Sequence, residues 1–196
     1  MGRNRKDLTR PETYWSKYPL YVIATEGEVT EKIYFTGAFR RKNIRMPILE
    51  TTKGNSSPEK VLKRLIRYKN KYNASPDELW LVIDRDSWEK KSLETIKREC
   101  ESKGFNLMIS NPCFELWLLL HQNNPKQPLT GKDCEREIKK FIPGFSKSNY
   151  NLSGLLENIN KAINNAKCLD HKNAINHAPS TKVFELVEKL VSEGDA

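Results

Sequence analysis

Cysteine and histidine are scarce in this chain, and neither is grouped. Cys100, Cys113, Cys134 and Cys168 lie far apart, no CxxC occurs, and His121, His171 and His177 make no zinc-like spacing with them. A structural zinc site and a disulfide framework are therefore excluded as readings, and the cysteines read as free thiols. No apolar run approaches the ~20 residues a membrane-spanning helix needs. The basic start, Met1-Gly-Arg-Asn-Arg-Lys-Asp7, leads into no apolar stretch, so it does not read as a secretory signal. A cytoplasmic protein with no membrane partner is expected. Internal repeats and low-complexity tracts are missing too.

What is present is charge. The 196 residues carry a formal net charge of +9, with 30% charged and 37% hydrophobic residues, enough for one α/β domain with a helical appendage. Arg3, Arg5, Lys6 and Arg10 crowd the first ten residues, and a second basic group fills Lys60-Val-Leu-Lys-Arg-Leu-Ile-Arg-Tyr-Lys-Asn-Lys71. Either stretch alone reads as a solvated tail or helix face. Beside an acidic crevice the excess gains meaning, because a phosphodiester substrate needs cations along its backbone.

Residues 1–18 read as a basic arm, 19–125 as an α/β domain, and 126–196 as a helical extension packed on that domain. Strands are predicted at Leu20–Thr25, Met46–Thr51, Leu79–Ile83 and Phe105–Ile109. Thr25-Glu-Gly-Glu28 has the capping-box pattern ahead of a helix. Ser57 and Pro58 suit the N-cap and first position of the next helix, which runs to about Tyr72. A third spans Ser92–Lys103 and is closed by Gly104. Ser110-Asn-Pro112 starts an apolar helix to His121. Helices are also expected at Lys132–Phe141, Leu152–Lys167 and Ser180–Val191, the last capped by Ser180 or Thr181. Strands alternating with helices imply right-handed crossovers and a mainly parallel four-stranded sheet.

Three acids, Glu26, Asp84 and Asp86, sit just past apolar strands. In a parallel sheet those strand ends open on one crevice, the usual ligand position of an open α/β fold. Carboxylates meeting there repel unless a cation joins them, and hard oxygen donors suit Mg²⁺ or Mn²⁺. Each acid also has a plainer reading. Glu26 can stabilise the following helix, and Asp84 and Asp86 can form a turn and cap. Glu115, the only charge in an apolar nine-residue stretch, falls at the same sheet edge as a fourth ligand or a dipole-favoured surface acid. Asn111 is an N-cap or a ligand-facing amide. Lys53, Arg85 and Lys147 are the cations available to a phosphate, Lys147 foremost because it lies in the loop Pro143–Tyr150, against the reading of ordinary surface charges. A DxD at a strand end also occurs in dehalogenase-type phosphatases, sugar-nucleotide transferases and receiver domains. Here it follows the third strand, which disfavours the dehalogenase reading.

Three segments together resemble one family. Thr25-Glu-Gly-Glu-Val-Thr-Glu-Lys-Ile-Tyr-Phe35, Ile83-Asp-Arg-Asp86 and Ser110-Asn-Pro-Cys-Phe-Glu-Leu-Trp-Leu-Leu-Leu-His121, with a late Ala178-Pro-Ser-Thr-Lys-Val183, are similar to the RloB-like family. The resemblance implies a Toprim-like (Rossmann-like) fold, a setting in anti-phage defence, and an AAA-type ATPase partner. It implies that Glu26, Asp84 and Asp86, with Glu115 as an additional acid, hold Mg²⁺ or Mn²⁺ for nucleic-acid strand chemistry. Lys147 is then the cation expected beside the scissile phosphate. A chain this short has no room for the tyrosine domain of topoisomerases, which favours hydrolysis. The expected activity is a metal-dependent nuclease acting on DNA or RNA, tRNA included. The alternatives are a regulatory or toxin subunit that stays silent until an ATPase docks, and a metal-dependent phosphatase. No aromatic platform chooses between DNA and RNA, and a homo-oligomer is compatible with the sequence.

Overall fold

The computed structural model describes residues 18–40, 42–52, 54–72, 78–85, 88–125, 127, 129–169 and 174–194. The basic arm, Lys53 and Asp86 lie outside them. Three buried strands form the centre of the sheet: β1 (Tyr21–Thr25), β3 (Glu78–Asp84) and β4 (Asn106–Asn111). Their alternate side chains are apolar on both faces, as a strand covered on both sides requires. Tyr21, Ile23, Trp80, Val82 and Met108 enter one core, while Val22, Ala24, Leu79, Leu81 and Ile83 enter the other. With the short β2 (Ile48–Leu49) and β5 (Ser180–Thr181), the order is β2-β1-β3-β4-β5, parallel except for β5.

The sheet therefore has five strands rather than the expected four. The fifth comes from the segment read as a helix cap. Two polar residues leave no hydrophobic pattern to detect. They are held instead by Ser110 Oγ 2.9 Å from Thr181 Oγ1, and by the Lys182 N–H donating to the Ile109 carbonyl at 3.1 Å. The C-terminal region is thus not purely helical.

Helices α2 (Pro58–Lys71) and α3 (Lys90–Lys103) cover the second core through Val61, Leu62, Leu65, Leu93 and Ile96. Ser57 does precede Pro58, but its side chain makes no capping bond. Gly104 closes α3 with φ 69°, and the Phe105 N–H returns to the Cys100 carbonyl at 2.9 Å, the bond that ends a helix in a left-handed turn.

The first core is covered by α1 (Thr30–Phe39), α4 (Glu115–Leu120), α5 (Gly131–Phe141), α7 (Ile159–Lys167) and α8 (Val183–Gly194), centred on Tyr34, Phe35 and Trp117. A single helix over 152–167 does not form. A short α6 (Leu152–Leu156) precedes α7, with Asn158 between them, a residue that favours helix ends over interiors. Strand β4 runs on to Asn111, so α4 begins only at Glu115.

Candidate metal centre

β1 and β3 run parallel, so Thr25 and Asp84 end at the same sheet edge. The Glu26 N–H donates to the Val82 carbonyl at 2.9 Å, which carries the ladder one residue further and fixes the backbone of Glu26. Its carboxylate then folds across to β3. Oε2 accepts from the Asp84 N–H at 3.0 Å, and Oε1 accepts from Trp88 Nε1 at 2.8 Å. Two of the predicted acids are thus brought together, and Trp88 is an orienting partner that no sequence pattern announced.

The capping box expected at Thr25–Glu28 does not form. Thr25 Oγ1 donates to the Gly27 carbonyl at 2.9 Å, and α1 starts later, at Thr30, with no side-chain cap. The chain is pinned by Glu31 instead, whose Oε1 accepts from the Gly27 N–H at 2.9 Å. The approach is so close that a Cβ at position 27 would lie 2.1 Å from Glu31 Oε2, so a side chain there would push the Glu31 carboxylate aside. Glu31 is only 4% exposed and lies one turn above the sheet edge. Sequence reasoning passed it over because a Glu at the start of a helix is normally an exposed, dipole-favoured residue.

Glu115 is 2% exposed and does turn to this edge. Lys147 Nζ lies 3.0 Å from Glu115 Oε1 and 3.5 Å from Glu135 Oε1. Its loop is latched onto the start of α1, with Thr30 Oγ1 donating to the Lys147 carbonyl at 3.1 Å and Tyr150 Oη to the Thr30 carbonyl at 2.9 Å. Glu31, Asp84, Glu115 and Lys147 line one cavity of about 240 Å³.

The electrostatics follow from crowding like charges in low dielectric. Burial pushes the Asp84 carboxyl well up, and Glu31, Glu26 and Glu115 push it further. Burial also raises Glu31 to about 7, against the hydrogen bond from Gly27 and with Glu115 adding to the rise. Burial alone would lower Lys147, but the charge and hydrogen bond of Glu115, with Cys113 and Glu135 adding, together outweigh it and hold the ammonium above its ordinary value. One oxygen of this set stands out. Asp84 Oδ1 is enclosed and has no hydrogen-bond partner, a position a carboxylate does not hold cheaply.

Arg85, offered as a phosphate-binding cation, has a different role. Its Nε donates to the Ile175 carbonyl at 3.0 Å and its Nη1 to the Trp88 carbonyl, tying the end of β3 to the C-terminal segment. Asn111 is not a cap, since α4 begins at Glu115, and its Nδ2 is engaged, donating to the carbonyls of Ala174 at 2.8 Å and His177 at 3.1 Å. Arg64, counted with the outward-facing basic residues, turns inward and donates to the Thr25 carbonyl at 2.6 Å. His121 lies beside Tyr34 Oη in the core, and burial holds it down to about 4, so it is a neutral core residue. Among the described residues, no three of the acidic, histidine and cysteine side chains stand close enough to enclose an ion together.

The family model for RloB-like proteins matches residues 21–190, a span that contains every described residue of this cavity. The chain belongs to the RloB-like family. No curated protein and no solved structure matches it. The RloB-like chain places its most buried acids, Glu31 and Glu115, on the first turns of α1 and α4. Those turns and the ends of β1 and β3 enclose the cavity.

Proposed function

We propose that this RloB-like protein is a metal-dependent nuclease of the Toprim type, hydrolysing phosphodiester bonds of DNA or RNA in anti-phage defence, in concert with an AAA-type ATPase. The observation that carries the reading is Asp84 Oδ1, a buried carboxylate oxygen without a partner, in a cavity where Glu31 and Glu115 add further negative charge. Protons or a cation must balance that set, and carboxylate oxygens fit Mg²⁺ or Mn²⁺ better than softer ions. Asp84 would hold the ion, with Glu26, Glu31 and Glu115 as the neighbouring carboxylates and Asp86 the remaining candidate. Bound there, such an ion supplies an activated water and stabilises charge on the phosphoryl oxygens.

The chain's own residues prepare the site. The Asp84 N–H and Trp88 indole hold Glu26 in one orientation. Glu115 keeps Lys147 protonated at the mouth, where its ammonium can leave Glu135 and meet a substrate phosphate. The α2 helix follows a parallel strand, so its N-terminal end lies at the same sheet edge. Its exposed Lys60, Lys63, Arg67 and Lys71 fall at helical spacing on one face, as a polyanion's binding would require.

The deciding experiment compares Mn²⁺ binding and Mn²⁺-dependent cleavage of labelled DNA and RNA by the parent and Asp84→Asn, with and without the ATPase. Loss of both in the variant is expected. Unchanged phage protection by Asp84→Asn would instead assign the protein a silent, partner-dependent role. Turnover confined to small phosphate esters would make it a phosphatase.

A further inference from the structure

A second recess lies away from the acidic cavity, at the outer edge of β4. That strand has 6 residues and its neighbour β5 has 2, so β5 pairs only with Ser110 and Asn111. The Arg85 N–H donates to the Ser110 carbonyl on the β3 side. Strand alternation therefore turns Leu107 and Ile109 to the opposite edge, where Lys182 reaches the Ile109 carbonyl. By the same alternation the N–H and carbonyl of Leu107 face this edge, beyond the two residues that β5 pairs. Beside them opens a cavity of about 240 Å³. Its walls are Phe105, Leu107 and Ile109 from the sheet, with Ala174 and Ile175 opposite.

The rim carries both signs. Lys97 lies 3.9 Å from Glu101, and Lys182 lies 3.4 Å from Glu185. Exposed pairs of this kind contribute about 0–1 kcal/mol, so each lysine is free to exchange its partner. An apolar slot with an adjacent donor and acceptor on one wall suits a planar heterocycle. Two lysines suit an anion, and two carboxylates accept hydrogen bonds from hydroxyl groups. The volume falls below the ~300 Å³ at which sites enclosing a whole drug-sized ligand begin, so the slot encloses one ring system and leaves the rest of such a ligand on the rim.

We propose that this recess binds a nucleoside monophosphate. The base lies in the apolar slot against the Leu107 edge, the ribose hydroxyls meet Glu101 and Glu185, and the phosphate is held by Lys97 and Lys182. Binding would also brace the metal centre. Ala174 and Ile175 form one wall of the recess, and their carbonyls hold Asn111 and Arg85, the residues at the ends of β4 and β3. The binding claim stands whether or not the cleavage reading does.

The test is calorimetric titration of the full chain with AMP, GMP, CMP and UMP in metal-free buffer, followed by the matching nucleoside. At least one monophosphate should bind saturably with Kd below about 1 mM. Changing both rim lysines, Lys97→Ala with Lys182→Ala, should weaken it about tenfold or more and leave nucleoside affinity within about twofold. Ala174→Trp, which fills the slot, should abolish binding of both; if that variant does not fold, the lysine pair decides. Asp84→Asn should leave binding intact. Absence of saturable binding by all four would overturn the proposal. So would binding that the lysine changes leave untouched, or binding that Asp84→Asn abolishes, which would put the nucleotide in the acidic cavity.

Discussion

Glu31→Gln offers the sharpest probe of the acidic cavity, because it removes a charge and keeps the oxygen that accepts from Gly27. Burial raises this carboxyl from 4.5 to about 7 in the folded protein. In the unfolded chain it titrates near its ordinary value. A raised acid binds its proton more tightly when folded, so its destabilising effect is absent below about pH 4.5. The effect grows as pH rises toward 7 and is complete above it. At about 1.4 kcal/mol per pH unit, the full effect is about 3.5 kcal/mol. In a chain of this size that corresponds to roughly 7–14 °C in Tm. The metal-free parent should therefore melt lower at pH 8 than at pH 5 by more than Glu31→Gln does, with the difference between the two proteins near that size. Asp84 pushes the parent in the same direction, and because the Glu31 charge is one cause of its rise, its share shrinks in the variant and adds to the difference. Saturating Mn²⁺ at pH 8 should restore most of the lost stability to the parent and less to the variant. The assay is thermal unfolding followed by circular dichroism at both pH values, with and without Mn²⁺. Parallel pH profiles for the two proteins would refute the reasoning, because they would mean that Glu31 does not ionise against its neighbours.

Other expectations are narrower. Asp84→Asn should fold, melt higher than the parent in metal-free buffer above pH 7, and lose Mn²⁺-dependent cleavage, as unfolding and nuclease assays would show. Lys147→Ala strips the buried Glu115 of its cation; since the lysine is itself more than half exposed, the expected cost is about 1–2 kcal/mol in urea denaturation. Gly27→Ala forces Glu31 aside and should cost about 1–3 kcal/mol, with weaker Mn²⁺ binding by calorimetry. Lys60→Glu with Lys63→Glu and Arg67→Glu should flatten the dependence of log K on log[salt] for nucleic-acid binding, by up to about 0.9 for each phosphate no longer neutralised; an unchanged slope would remove α2 from the interface.

Much of the scaffold was legible because its signals are strong and local. Leu79–Ile83 is apolar at every position, and that marked a central parallel strand. Gly104 ended α3 where a left-handed residue was needed. The proximity of Glu26 to Asp84 followed from strand direction alone, and Glu115 from its isolation in an apolar run. What escaped was non-local. β5 is held by a hydroxyl pair and a backbone bond from residues some seventy positions away, which no periodicity encodes. The inward turns of Arg85 and Arg64 depend on carbonyls of Ile175 and Thr25, so the sequence alone placed Arg64 on an outward helix face and Arg85 among the cations available to a phosphate. Glu31 was hidden by a shift in where α1 begins. Moving the helix start past Glu28 brings Glu31 from the second turn of the expected helix into the first turn of α1, where it is buried.

The local construction of the cavity also bears on why its acids tolerate one another. Both faces of the sheet carry apolar cores, so the strand ends are fixed by packing and cannot splay to relieve repulsion. Lys147 answers Glu115 directly and lowers Asp84 only as its weakest influence. Glu31 is answered by a backbone N–H, which offsets only part of the cost of its burial. Protons can neutralise Glu31 below about pH 7, and burial favours a neutral Asp84 as well, but a proton on Oδ2 still leaves the enclosed Asp84 Oδ1 without a donor. On the proposed reading, a divalent cation held by that oxygen would also offset the neighbouring charges. The fold thus maintains, at a cost in stability, a crowd of like charges at this edge, and that is the physical ground on which the proposed metal chemistry rests.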